Sequence, residues 1–157
     1  MVPAILILGL VGAGPASAAE PTASTAQTGP TAPTVSGAGT LAAHGSGHVR
    51  LGGSYVLTGS LTGGTLRIDG AGRYSTVRVT GWTSKTRQAD GTIVFRFRGT
   101  TGHFRIAGRT IVTRIDSGAI RFTATGHGRA WLLGAGSYWV NGHGPKPWTA
   151  TGATYAF

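Results

Sequence analysis

The sequence predicts an all-β domain over residues 41–157, built as two packed, mostly antiparallel sheets in a sandwich or flattened barrel. Three observations carry this expectation. Glycine recurs every few residues from Leu41 onward, and each glycine inside a helix would cost about 1 kcal/mol relative to alanine. β-Branched and aromatic residues alternate with polar ones over much of the same stretch. Candidate strands follow one another at roughly ten-residue intervals, the spacing of meandering antiparallel strands.

Ahead of the domain lie two segments of different texture. The apolar run Ile5-Leu6-Ile7-Leu8-Gly9-Leu10-Val11 is followed by Ala16-Ser17-Ala18, the small-x-small pattern that signal peptidase accepts. Gly9, Gly12, Gly14 and Pro15 make this run a poor membrane span. Residues 1–19 therefore read as a cleavable signal peptide, although no Lys or Arg precedes the run. The expected location is outside the cytoplasm, secreted or at the cell surface. Residues 20–40 are rich in Thr, Pro and Ala and have too little apolar surface to offset ordering entropy. A disordered linker is expected there.

Within the domain, Leu41, Ala43, Val49, Leu51, Tyr55, Leu57 and Leu61 share one parity with several glycines, while His44, His48, Arg50 and Thr58 share the other. A straight strand of that length would reach about 70 Å, against about 35 Å for the width of such a domain. The chain must bend, and glycine is where it can. A short β-solenoid that keeps its parity around corners is the alternative architecture. Further strands are expected over 65–69, 75–80, 92–98, 103–107, 110–115, 119–125, 129–140 and 153–157, with a tight turn at Ala89-Asp90-Gly91-Thr92. An internal repeat pairs 43–51 with 124–132 and 53–59 with 136–142, and Arg67-Ile68-Asp69 echoes Arg114-Ile115-Asp116.

Composition narrows the chemistry. The chain has no cysteine, which excludes disulfides and thiolate metal sites. Fourteen Lys and Arg face four Asp and Glu, for a net charge of +10. Such a field favours anionic partners, and an exported chain meets acidic envelope polymers before it meets nucleic acid. Only Asp69 and Asp116 offer a carboxylate pair of the kind glycosidases place about 5 to 9.5 Å apart, and their simpler reading is as strand-end or turn residues. His44, His48 and His127 would have to converge at a bend to hold a metal ion. Positions i and i+4 of a strand are about 13 Å apart, so ordinary surface histidines and no metal or other cofactor are expected.

The arginines and tryptophans are more informative. Arg50, Arg96, Arg98 and Arg129 alternate with apolar neighbours and should point outward, as should Trp131 and Trp139. An outward tryptophan beside arginine is a platform for sugar rings or anionic polymers. The competing structural role is cover by the loop 144–148 or by another sheet, which would make these tryptophans core or dimer-contact residues. The residues Arg129-Ala130-Trp131-Leu132, Gly134, Gly136, Tyr138-Trp139-Val140-Asn141-Gly142 and Trp148 also resemble the C-terminal end of small exported glycine-rich all-β proteins of actinobacteria. The resemblance covers mainly the last thirty residues and assigns no activity. The functional expectation is a non-enzymatic exported module that binds an anionic envelope component or polysaccharide. A self-assembling surface protein and a cell-wall hydrolase are the alternatives.

Overall fold

A computed structural model of the protein describes residues 38–72 and 75–157. The expected signal peptide and all but the last three residues of the expected linker lie outside them. Among the described residues six strands follow in chain order: β1 (Gly39–Asp69), β2 (Thr76–Thr80), β3 (Ser84–Arg87), β4 (Ile93–Val140), β5 (His143–Pro147) and β6 (Ala153–Ala156). There is no helix among the described residues, and hence none long and apolar enough to cross a membrane. All strands belong to one antiparallel sheet that is not closed into a barrel. The expected all-β class is what forms.

Two of these strands dominate, β1 with 31 residues and β4 with 48. Most β1 residues have two partners in β4: Val49 faces Ile115 on one side and Leu132 on the other, and Leu57 faces Ile106 and Ala124. The pairings fall into two series. In the first, segments 136–140, 39–45, 119–126, 55–62 and 101–108 lie side by side in that order. In the second, the order is 128–134, 47–53, 111–117, 64–69 and 93–97. β5 and β2 extend the first series at its two edges, and β6 and β3 extend the second. The chain crosses between series near Ser46, Ser54 and Gly63 in β1, and near Gly99, Arg109, Ser117, His127 and Ala135 in β4. This is a long antiparallel hairpin rolled on itself, with the strand order of a jelly roll. Parity survives the corners at Ser46, Ser54, His127 and Ala135 and shifts by one at Gly63 and Ser117, and neighbouring segments run antiparallel as in the meander expectation.

The predicted inward set is buried. Leu41, Leu51, Tyr55 and Leu57 have no exposed surface, and Ala43, Val49 and Leu61 have almost none. Past Gly63 and Gly64 the inward parity shifts by one, so that Leu66 and Ile68 are buried instead. β4 adds Phe95, Phe97, Phe104, Ile106, Ile111, Ile115, Phe122 and Leu132 to the same core. Each such side chain contributes about 1.5–3 kcal/mol on burial. Tyr55 satisfies its buried hydroxyl by donating to Thr113 Oγ1 at 3.0 Å.

The corners depend on glycine. Gly47 (φ 130°) lies directly opposite Gly134 (φ 131°). A Cβ on Gly47 would land on the Leu133 carbonyl oxygen, and one on Gly134 would land on the Ser46 carbonyl oxygen. Backbone touches backbone here, which no larger residue permits.

The turn at Ala89-Asp90-Gly91-Thr92 forms as expected. Thr92 N donates to Asp90 Oδ1 at 2.9 Å, and this bond holds the Asp90 carboxyl below its usual pKa. Gly39 and Thr40, assigned to the linker, open β1, where Thr40 N donates to Asn141 Oδ1 at 2.7 Å. Two strands were not expected, β3 and β5. Both are short, exposed edge strands without alternation. The segments 43–51 and 124–132, which the sequence pattern pairs, each pass from the first series to the second, and Arg67 pairs directly with Arg114.

Candidate anion-binding face

The outer face of the second series gathers most of the predicted residues. Arg50 lies between Trp131 and Arg114, and Arg114 lies between Arg50 and Arg67. With Thr154 opposite Trp131, a row Thr154, Trp131, Arg50, Arg114, Arg67 crosses five adjacent segments at about 5 Å per step. Three arginines in direct lateral succession repel one another. One acid relieves part of this: Arg114 Nη1 donates to Asp69 Oδ2 at 2.7 Å, and Asp69 also accepts the Thr92 hydroxyl at 2.9 Å. Arg67 Nη2 donates to Gln88 Oε1 at 3.3 Å, whereas its buried Nε has no partner. Among the described residues, neither Arg50 nor Arg129 has a carboxylate partner.

At one end of the row the surface is indented. Arg50, Gly52, Arg129, Ala130, Trp131 and Thr154 line an open groove of about 550 Å³. Register explains its shape. Gly52 pairs with Arg129 and Arg50 with Trp131, so these four positions form a square with one corner lacking a side chain. Trp131 is half-buried, since the backbone of Gly152 closes one side of its indole.

The remaining predicted residues are distributed differently. Arg96 is exposed on the same face, opposite Thr65, three strand spacings or about 15 Å from the strand that carries Arg50. Arg98 is exposed just beyond Phe97, where β4 leaves the second series, and does not line the groove. Trp139 belongs to the first series, opposite Ala42. It contacts the His44 ring at a centroid distance of 5.4 Å and is covered by Gly144. Trp139 remains half-buried beside Gly144, at the start of the loop 144–148. Trp131 and Trp139 are separated by the corner at Ala135.

The carboxylate pair does not assemble. Asp69 pairs with Val112, four residues along the strand from Asp116, which places the two about 13 Å apart. That exceeds the glycosidase window. Asp116 is engaged elsewhere, bonding His48 Nδ1 and accepting the Thr65 hydroxyl at 3.3 Å. His44 and His48 fall in different series, on either side of the Ser46 corner. Among the described residues, no group of three or more His, Cys, Asp or Glu is placed to hold a metal ion.

Arg67, Arg114, Gly52 and Thr154 join the face without having been singled out as binding residues. The echo of Arg67-Ile68-Asp69 in Arg114-Ile115-Asp116 was the available signal, because it places two arginines at like positions of two strands. No family model matches the chain, and neither a curated protein nor a solved structure matches it.

Proposed function

We propose that this protein is an exported, non-enzymatic module that binds an anionic polysaccharide or other anionic polymer of the cell envelope. The observation that carries the reading is the convergence of Arg50, Arg129 and Trp131 on one groove that continues into the Arg114 and Arg67 row. The arginines supply charge and bidentate donors for carboxylate or phosphate, and the indole supplies a flat apolar wall for a ring. The uncompensated repulsion along the row is relieved when an anion lies over it. Self-assembly through strand edges has less support. β3 carries Lys85 and Arg87, and β5 carries Pro145 and Pro147, and both devices discourage addition of another strand.

The test is binding to an immobilised acidic polysaccharide at low and high salt. Wild-type protein should bind at low salt and release as salt rises. The double variant Arg50→Gln/Arg129→Gln should bind about tenfold more weakly, equivalent to about 1.4 kcal/mol. No binding at low salt, or binding indifferent to salt, refutes the proposal.

A further inference from the structure

We infer that Gly52 is the floor of a subsite for one uronate-type sugar ring, a six-membered ring that carries a carboxylate. The inference rests on reading the groove as a polyanion site and goes on to name the unit it accepts.

Glycine at this position is not demanded by the fold. Its neighbours Gly45, Gly47 and Gly53 each face a backbone carbonyl so closely that a Cβ would land on it. At Gly52 an added Cβ would meet only Val112 Cγ2, at 3.9 Å, an ordinary contact. Its backbone is also outside the positive-φ group that includes Gly47 and Gly53. Glycine inside a strand gives up packing and carries extra unfolded-state entropy. What it leaves here is a gap, and that gap makes the groove.

The walls of the gap define what fits it. Gly52 is flanked along its own strand by Arg50 and across the sheet by Arg129, with Trp131 diagonal to it. Arg50 and Arg129 stand on adjacent sides of the gap and both line the groove, so one carboxylate seated there lies within reach of two long guanidinium side chains. The indole offers its open side to the apolar face of a sugar ring. Thr154, exposed beside Trp131, offers a hydroxyl to the ring hydroxyls. An acyclic polyphosphate chain would engage the arginines and leave both the indole and the gap unused.

The experiment compares two probes, a galacturonate hexamer and an acyclic glycerol-phosphate polymer, titrated against wild-type protein, Gly52→Val and Gly52→Ala at low salt. Gly52→Val should weaken galacturonate binding at least about tenfold, and Gly52→Ala should weaken it less. Glycerol-phosphate binding should change less than about twofold in either variant. Urea midpoints report folding, and if Gly52→Val unfolds easily, Gly52→Ala carries the comparison. Unchanged galacturonate binding in the Gly52 variants overturns the subsite. If Arg50→Gln/Arg129→Gln still weakens binding about tenfold in that case, the broader reading stands. Equal loss for both probes also overturns the subsite. Failure of wild-type protein to bind either probe overturns both.

Discussion

Gly47→Ala tests the physical account of the corners. The new methyl would coincide with the Leu133 carbonyl oxygen, on a residue held at φ 130°. Two penalties combine. The backbone conformation costs a non-glycine residue about 1–3 kcal/mol, and pushing the two chains apart costs about 1–3 kcal/mol more, as in overpacked cores. The expected loss is therefore about 2–6 kcal/mol. A domain of this size has a total stability of about 6–17 kcal/mol, so the variant folds but is much weakened. With a urea dependence of about 2 kcal/mol per molar, a loss of about 3 kcal/mol lowers the unfolding midpoint by about 1.5 M. Gly118→Ala is the control, because a Cβ there meets nothing within 4 Å and its φ is not positive. It should change stability by less than about 0.5 kcal/mol. Equal midpoints for the two variants would refute the argument from backbone contact. Gly47→Ala combined with Gly134→Ala should cost less than the sum of the two, since the first separation relieves the second clash.

Two further outcomes follow from named side chains. Burial raises the Tyr55 pKa to about 12, against 10.0 when free. The folded state therefore retains a proton that the unfolded state releases, so this group's stabilisation is complete below about pH 10 and is lost as pH rises toward 12, about 3 kcal/mol in all. Urea titrations across that range should show the fall, and Tyr55→Phe should reduce its slope while costing about 1–3 kcal/mol at neutral pH through the orphaned Thr113 hydroxyl; a wild-type profile that stays flat to pH 12 contradicts this. Asp69→Asn should have effects of opposite sign, losing about 1 kcal/mol of stability with the Arg114 ion pair and strengthening polyanion binding a few-fold by removing a negative charge from the arginine row, so weakened binding by a folded variant would count against that row as the contact surface.

Sequence parity carried most of the local information. Leu41 to Leu61 alternate cleanly, and their burial follows that alternation. The outward direction of Arg50, Arg129 and Trp131 follows from the same period. Lateral neighbours are another matter, because register depends on where the chain turns. Trp131 and Trp139 have the same parity, yet the corner at Ala135 puts them in different series. Arg114 and Arg67 become neighbours of Arg50 only through pairings across more than 40 residues of chain. Ser84-Lys85-Thr86-Arg87 and His143-Gly144-Pro145-Lys146-Pro147 have no inward face to alternate, so edge pairing alone makes them strands. A glycine kept for function, such as Gly52, looks like its fold-required neighbours until the space around each is known.

The rolled hairpin also sets terms for how the chain reaches its native state. Ile68 and Ile93 are close in sequence and close the hairpin cheaply, whereas Leu41 must find both Ala124 and Val140. Loop entropy is paid before such distant pairs give any return. Assembly should therefore zip outward from the hairpin's closed end and be slow for a chain of this length, and a halt partway would leave the first residues of β1 as a bare edge, open to intermolecular pairing.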